Sequence, residues 1–195
     1  MTIFPTSLTS SSPLIRRRFA YRSLLPLSQD YLWQIETGAI RTATWLKDGT
    51  PITIGLWGSG DIVGKALSKA DPYRIECLTD VEATALPLSK LPQLTQSMVL
   101  HAQQLGEFLE ILHSKPVDAA LLRLLIWLSQ KFGRETNQGK LIDLRLTHRD
   151  IAEIISSSRV TVTRLLNEFE KQGIIQSLGR KFVVTNEQPF WHYEI

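Results

Sequence analysis

Residues 147–173 contain the pattern that constrains the fold most, two short amphipathic helices separated by a polar turn. Thr147 and Asp150 have the spacing of a capping box, in which two side chains satisfy the first free N–H groups of a helix. One apolar face follows, formed by Ile151, Ala152, Ile154 and Ile155. Three serines interrupt this helix, the helical spacing resumes at Val162, and Gly173 ends it. The pattern predicts a helix-turn-helix.

The second helix of this unit has a polar outward face near its N-terminal end. If its apolar residues point inward, the residues that point outward are Arg159, Val160, Thr163 and Arg164. The N-terminal half of a recognition helix enters the major groove, and the guanidinium fork of arginine reads O6 and N7 of guanine. We therefore predict that these four residues read the base edges of double-stranded DNA.

A hairpin is predicted to follow the second helix, over residues 174–184, with its turn at residues 178–181. Arg180 and Lys181 lie at the predicted tip, where cations can contact a neighbouring phosphate. Ser158 is expected to cap the second helix and to donate to a phosphate. Together these features predict a winged helix-turn-helix DNA-binding domain over residues 115–195.

The N-terminal part of the chain divides into a predicted flexible arm, residues 1–18, and a β-rich region, residues 19–90. Serine, threonine and proline dominate the arm, and Arg16–Arg18 reads as a solvated charge run, with a DNA-contacting arm as the alternative. Alternating apolar residues such as Trp33 and Ile35, with the turn signal Asp48-Gly49, predict short strands. We expect them to form a β-barrel or sandwich.

Residues 91–114 change to a helical period with a heptad seam. The seam consists of Leu94, Met98, His101, Leu105, Phe108 and Leu112, spaced four, three, four, three and four. We interpret it as the interface of a homodimer, with packing on the barrel as the alternative. Pro116 breaks the helix, and a buried apolar helix is expected from Ala119 to Leu128.

Composition excludes several classes of protein and site. Ten basic and ten acidic side chains fall in residues 1–114, so the net charge of +3 belongs to residues 115–195, as expected for a phosphate-binding partner. Cys77 is the single cysteine, which excludes an internal disulfide and a cysteine-held cluster and favours a cytoplasmic setting. Signal-peptide, membrane-spanning, metal-ligand and catalytic patterns are absent, so no enzyme activity, cofactor or membrane partner is predicted.

The chain resembles the CRP/FNR superfamily of bacterial transcription regulators from about Tyr31 to Val184. The specific part is LTHRDIAEIISSSRVTVTRLLNEFEKQGII, in which SRVTVTRLL is most similar to the cyanobacterial global nitrogen regulators of that superfamily. The segments YLWQIETGAIR and GSGDIVG resemble the strand and glycine corners of its barrel. The resemblance implies an α+β fold with a cyclic-nucleotide-binding-like β-barrel (jelly roll), a long dimerisation helix and a C-terminal winged helix.

The resemblance also implies roles for individual residues. Arg159 and Arg164 match the family's two base-reading arginines, and Ser158 and Thr161 match positions that contact phosphate. We also predict that Thr147 contacts a phosphate. Val160 replaces the glutamate of cyclic-AMP receptors, and valine cannot accept from cytosine N4. The resemblance therefore implies a half-site of the GTA type, read by a homodimer at a palindromic site, with RNA polymerase as a candidate partner.

The effector positions of the family are not reproduced in this sequence. The phosphate-holding Arg-Ser pair of cyclic-AMP receptors falls at Asp71-Pro72, and Lys65 replaces a ribose-binding glutamate. The Arg and Glu that hold 2-oxoglutarate in the nitrogen regulator fall at His101 and Gly106. We expect neither ligand to bind, although Lys65 and Arg74 could rebuild an anion site. The alternative function is a ligand-sensing or interaction protein that keeps the fold without reading DNA.

Overall fold

The computed structural model describes residues 15–89 and 94–185. Its N-terminal part consists of seven strands: β1 (Ile15–Phe19), β2 (Tyr31–Thr37), β3 (Ile40–Trp45), β4 (Pro51–Trp57), β5 (Ile62–Val63), β6 (Arg74–Cys77) and β7 (Val81–Pro87). One sheet has the order β1-β7-β2-β5 and the other has the order β4-β3-β6. The alternating strands expected from the sequence are therefore present, and they form the predicted barrel.

The barrel encloses a core that is rich in aromatic and branched side chains. Trp33, Ile35, Trp57 and Ile75 belong to one buried cluster and are at most 2% exposed. The β3–β4 hairpin turns at Asp48-Gly49 as predicted: Asp48 Oδ1 accepts from the Thr50 N–H at 2.9 Å, and Gly49 has a φ of +84°. Local turn chemistry thus fixes the register of this hairpin.

The predicted flexible arm was wrong at its C-terminal end. Residues 15–18 belong to β1, which pairs antiparallel with β7 from Ile15 opposite Ala85 to Phe19 opposite Val81. Arg16 and Arg18 both donate to the carboxylate of Glu82 on β7. Cross-strand ion pairing and backbone hydrogen bonds therefore hold this arginine run in the sheet. The rest of the predicted arm, residues 1–14, lies outside the described residues.

Two helices connect the barrel to the C-terminal unit, α1 (Thr95–His113) and α2 (Val117–Phe132). Pro116 is the N-cap of α2, so the break falls where proline predicted it. Leu121, Leu124 and Leu128 on α2 are fully buried, as expected for the apolar helix. Within residues 15–89 and 94–185, no helix combines the length and apolarity needed to cross a membrane.

The C-terminal unit consists of strands and helices around one core. After α2 come β8 (Gly133–Thr136), β9 (Gly139–Ile142), α3 (His148–Ile154), α4 (Arg159–Lys171), β10 (Ile175–Leu178) and β11 (Lys181–Val184). These four strands form a sheet in the order β10-β11-β9-β8. The α3–α4 pair is the predicted helix-turn-helix and β10–β11 is the predicted wing. The β8–β9 hairpin was not predicted from the sequence.

Four of the six residues of the predicted dimer seam pack within the chain itself. The ring of His101 stacks on Trp57 of the same chain at 4.1 Å, and its Nδ1 lies 3.0 Å from the Ile62 carbonyl. Leu105 packs against the barrel core, Phe108 is 2% exposed, and Leu112 packs against the C-terminal core. The alternative interpretation, packing on the barrel, agrees with the positions of His101 and Leu105. Leu94 is half-buried and Met98 is 39% exposed.

Candidate nucleic-acid interface

Helix α3 begins with a complete capping box. The Thr147 hydroxyl accepts from the Asp150 N–H at 3.1 Å, and Asp150 Oδ2 accepts from the Thr147 N–H at 2.8 Å. The Thr147 hydroxyl also donates to Asp150 Oδ2 at 2.7 Å. Burial alone would raise the pKa of Asp150, but the hydrogen bonds from Thr147 and the charge of Arg22 outweigh it and lower that pKa. Asp150 is therefore ionised at neutral pH and fixes the entry into α3.

A short turn joins α3 to α4 and ends in a second cap. Ser156 has a φ of +51°, and the Ser157 N–H donates to the Ala152 carbonyl at 2.9 Å. The Ser158 hydroxyl accepts from the Thr161 N–H at 3.0 Å and lies 2.9 Å from the Thr161 hydroxyl. Ser158 is thus the predicted N-cap, and its hydroxyl and that of Thr161 lie together at the start of α4.

The outward face of α4 carries the residues predicted to read bases. Val160 is 79% exposed, an unusual value for a large apolar side chain, and Arg159 is exposed beside it. The Arg164 side chain is 67% exposed and contacts Glu168 at 3.3 Å, one turn further along the helix. Val162, Leu165, Leu166 and Phe169 are buried on the opposite face. Helix α4 therefore has the exposed polar face and the buried apolar face that the sequence predicts.

Thr163 differs from the other three residues predicted to read bases because it is half-buried. Its hydroxyl lies 2.8 Å from Nδ1 of His148, the first residue of α3. The His148 ring also lies against Phe182 of β11, with 6.4 Å between the ring centroids. His148 thus links both helices of the helix-turn-helix to the wing, a role that sequence reasoning missed because Thr163 and Phe182 are distant in sequence.

The wing holds the two cations predicted to contact phosphate. The turn between β10 and β11 contains Gly179, with a φ of +67°, and the exposed Arg180. Lys181 is half-buried and pairs with Asp143. The wing is tied to α4 through Glu170, whose carboxylate accepts from the Ser177 N–H at 3.0 Å. The recognition helix and the wing are therefore held as one unit.

The cations that could have rebuilt an effector site in the barrel have other partners. Lys65 Nζ donates to the Ala70 carbonyl and lies 5.7 Å from the centre of the Tyr73 ring. The Arg74 guanidinium lies 4.5 Å from the centre of the Trp45 ring and is exposed. Within residues 15–89 and 94–185, no cluster of three or more His, Cys, Asp or Glu side chains could hold a metal ion.

Comparison with known proteins agrees with this geometry. A family model of the Crp-like helix-turn-helix domain matches residues 119–189. The regulatory protein CysR of Synechococcus elongatus is 39% identical over 183 residues, which cover 92% of this chain and 88% of CysR. The global nitrogen regulator of Synechocystis sp. is 29% identical over 166 residues, 76% of this chain and 73% of that protein.

Among solved structures, a CRP-family transcriptional regulator from Thermus thermophilus superposes with a TM-score of 0.76. At 23% identity the match covers 87% of this chain and 92% of that regulator, and it supports the predicted α+β fold of barrel, long helix and winged helix. The similarity to CysR extends over both parts of the chain. The chain therefore belongs to the CRP/FNR family of DNA-binding transcription regulators.

Proposed function

We propose that this regulator reads its operator with the outward face of α4. The observation that carries the proposal is the exposure of Arg159, Val160 and Arg164 on a helix whose N-terminus is capped and free of acidic residues in its first turn. The two guanidinium groups suit guanine O6 and N7, and the valine suits the methyl group of thymine. Thr163, oriented by His148, completes the set at the base edges.

The phosphate contacts come from groups around this face. Ser158 and Thr161 place two hydroxyls at the start of α4, and Arg180 extends from the wing. Lys181 contacts a phosphate after its ion pair with Asp143 breaks, and the exposure of Asp143 allows this change. Thr147 contacts a phosphate only after its hydroxyl turns away from Asp150 Oδ2, to which it donates at 2.7 Å. Such contacts fix the register on the duplex without reading sequence.

Substitution of the two arginines tests the base-reading role. Arg159→Ala and Arg164→Ala are each expected to weaken binding to the selected operator by about 1–3 kcal/mol, with a much smaller loss on random DNA. The matched control is Lys171→Ala, which removes an exposed cation from the last turn of the same helix. Binding sites selected from random DNA supply the operator. Equal losses on operator and random DNA would show that the arginines contact only phosphates.

We further propose that the chain forms a homodimer through a face of α1 one residue away from the predicted seam. This face consists of Thr95, Val99, Ala102, Gly106, Leu109 and His113, which are spaced four, three, four, three and four and are all exposed. Val99 is 46% and Leu109 is 57% exposed. Ala102 and Gly106 lie one turn apart and allow close approach of a second helix. Exposed apolar residues in a heptad repeat are typical of a coiled-coil interface.

Light scattering of dilute protein tests this face. Leu109→Glu places a charge in the proposed interface and is expected to give a monomer, because an unpaired charge buried between helices is costly. Leu46→Glu is the matched control, since Leu46 is a similarly exposed leucine (51%) near the β3–β4 turn. A dimer that survives Leu109→Glu, or a monomeric wild type, would refute the interface. Two-fold symmetry of the dimer implies a palindromic operator.

Within the cell we propose a cytoplasmic regulator that acts on transcription through contact with RNA polymerase. The support is the family to which the chain belongs and the use of a single cysteine, Cys77, which is buried with its sulfur 3.7 Å from the Ser23 hydroxyl. Burial raises the pKa of the Cys77 thiol, so this group is a poor nucleophile. Co-purification of RNA polymerase on operator DNA with and without the protein tests the contact.

A further inference from the structure

An alternating chain of charges joins the barrel to the first helix of the helix-turn-helix. Asp150 Oδ1 lies 3.2 Å from Arg22 Nη2, and Arg22 Nη1 lies 2.9 Å from Glu76 Oε1. Glu76 Oε2 lies 2.8 Å from Arg41 Nη2, and Arg41 Nη1 lies 3.1 Å from Glu153 Oε2. Both ends of this charge chain, Asp150 and Glu153, are on α3, three residues apart on one face of the helix. The contact therefore restricts the rotation of α3 as well as its position.

The barrel side of this contact is held firmly in place. Arg41 and Glu76 are directly opposite each other in the paired strands β3 and β6. Arg22 adopts a φ of +66°, and its N–H donates to the Cys77 carbonyl at 2.9 Å. Its side chain therefore extends from a turn whose backbone is hydrogen-bonded to the end of β6. Two guanidinium groups thus extend from the barrel at defined positions toward Asp150 and Glu153.

The burial of these charges argues that they contribute orientation more than stability. The side chains of Arg41 and Asp150 are each 10% exposed, those of Glu76 and Glu153 17% and 20%. The Nε of Arg41 is buried and has no hydrogen-bond partner among the described residues. Buried ion pairs contribute little net stability, because desolvation offsets their attraction, whereas their geometry is specific. An apolar contact would stabilise this junction at least as well but would restrict its geometry less.

The covalent connection between α1 and the C-terminal unit is short and contains no regular structure. Helix α1 ends at His113 and α2 begins at Val117, so residues 114–116 alone link the proposed dimer helix to the DNA-reading helices. The angle between them must therefore be maintained by contacts across the domains. Besides the charge chain, Lys131 of α2 lies 2.7 Å from Asp61 of the barrel. Leu56 and Leu78 of the barrel also belong to one buried apolar cluster with residues of the C-terminal unit.

We propose that the charge chain from Asp150 to Glu153 sets the spacing between the two half-sites that the dimer accepts. Arg41 and Glu76 act as positioning residues, because they fix α3, α3 packs on α4, and α4 enters the groove. In a two-fold dimer, each base pair added between half-sites moves them apart by about 3.4 Å and rotates one about the DNA axis. This inference rests on the proposed dimeric reading of a palindrome.

The test measures binding to operators that share both half-sites and differ only in the number of base pairs between them. Wild type is expected to prefer one spacing, and Arg41→Gln is expected to reduce that preference by about fivefold or more. Its preference for the intact half-site over one with a changed base should remain, because Arg41 is remote from α4's outward face. Arg18→Gln, which removes another paired arginine from the barrel surface, is the matched control.

A second variant keeps the test decisive if Arg41→Gln fails to fold. Glu153→Gln removes one end of the charge chain on α3, and Glu135→Gln, at an exposed ion pair in β8, is its control. Relaxed spacing with retained half-site preference in Arg41→Gln or Glu153→Gln supports the proposal. An unchanged spacing profile in a folded variant overturns it. A wild-type protein that shows no preference for any spacing overturns the proposal too. A wild-type protein that does not prefer the intact half-site would instead refute the proposed function.

Discussion

Asp150→Asn is the most informative single substitution in the C-terminal unit, because one carboxylate serves both the cap of α3 and the contact with the barrel. The amide keeps the shape of the side chain and removes its charge. In the wild type, Asp150 accepts from the Thr147 N–H at 2.8 Å and from its hydroxyl at 2.7 Å, and Arg22 Nη2 lies 3.2 Å away. We expect the substitution to weaken all three contacts without opening a cavity.

The magnitude follows from these contacts. The acceptor of two hydrogen bonds from Thr147 changes from a charged carboxylate to a neutral amide, which lowers the free energy of unfolding by about 0.5–1 kcal/mol for each bond. Loss of negative charge in the first turn of α3 removes about 0.3–1 kcal/mol of interaction with the helix dipole. Arg22 is 39% exposed and keeps Glu76, so its lost partner contributes only about 0.5 kcal/mol. We expect the free energy of unfolding to fall by about 2–3 kcal/mol.

Thermal and urea unfolding, followed by circular dichroism, measure this change. For a chain of this length the melting temperature is expected to fall by about 4–12 °C. Asp143→Asn is the matched control: Asp143 is 49% exposed, pairs with Lys181, and is expected to contribute less than about 0.5 kcal/mol. Operator binding at a temperature where both variants are folded separates loss of stability from loss of DNA contacts.

The pH dependence distinguishes lost charge from lost packing. The pKa of Asp150 is lower in the folded state than its ordinary value. Its stabilising effect is therefore complete above the unfolded pKa of about 3.9 and disappears as the pH falls through the lowered folded pKa. Wild type and Asp150→Asn should converge in stability as the solution is acidified below about pH 4. A difference that stays constant across this range, or one no larger than that of Asp143→Asn, would refute the reasoning.

The remaining predictions concern the recognition helix and the barrel. Replacing a thymine contacted by Val160 with uracil removes one methyl group and should weaken binding of the wild-type protein by about fourfold. The same replacement should not weaken binding of the Val160→Ala variant, and equal losses for the two proteins would contradict the contact. Cyclic AMP and 2-oxoglutarate should give no saturable heat in isothermal titration, with or without operator DNA, because Asp71 repels an anion and Pro72 lacks an N–H donor. Saturable binding abolished by Lys65→Ala or Arg74→Ala would show that an anion site has been rebuilt.

Sequence reasoning succeeded where the signals are local. The capping box of Thr147 and Asp150, the cap at Ser158 and the turn at Asp48-Gly49 each lie within four residues, so spacing alone identifies them. The β8–β9 hairpin was missed although Asn137-Gln138-Gly139 contains a turn residue, because its strands are short and only partly apolar. Short strands without clear alternation carry little periodic signal.

The proposed dimer face and the charge chain could not be predicted in this way. Helix α1 carries two heptad seams one residue apart, and the stacking of His101 on Trp57 decides which one packs on the barrel. No spacing rule distinguishes the seams before the barrel is assembled. Arg22 and Asp150 are 128 residues apart in sequence, so their contact leaves no local pattern at all. Only the packing of the two parts of the chain brings them together.

Strand β1 also affects how the protein behaves at high concentration. It is the end strand of its sheet and pairs with β7 alone among the described strands, so one side of its backbone is a template for a further strand. Arg16, Arg17 and Arg18 occupy consecutive positions on this strand and, because side chains alternate, place cations on both faces of the edge. A second copy pairing there would bring arginines together at about 5 Å. The arginine run therefore discourages edge-to-edge aggregation of the barrel.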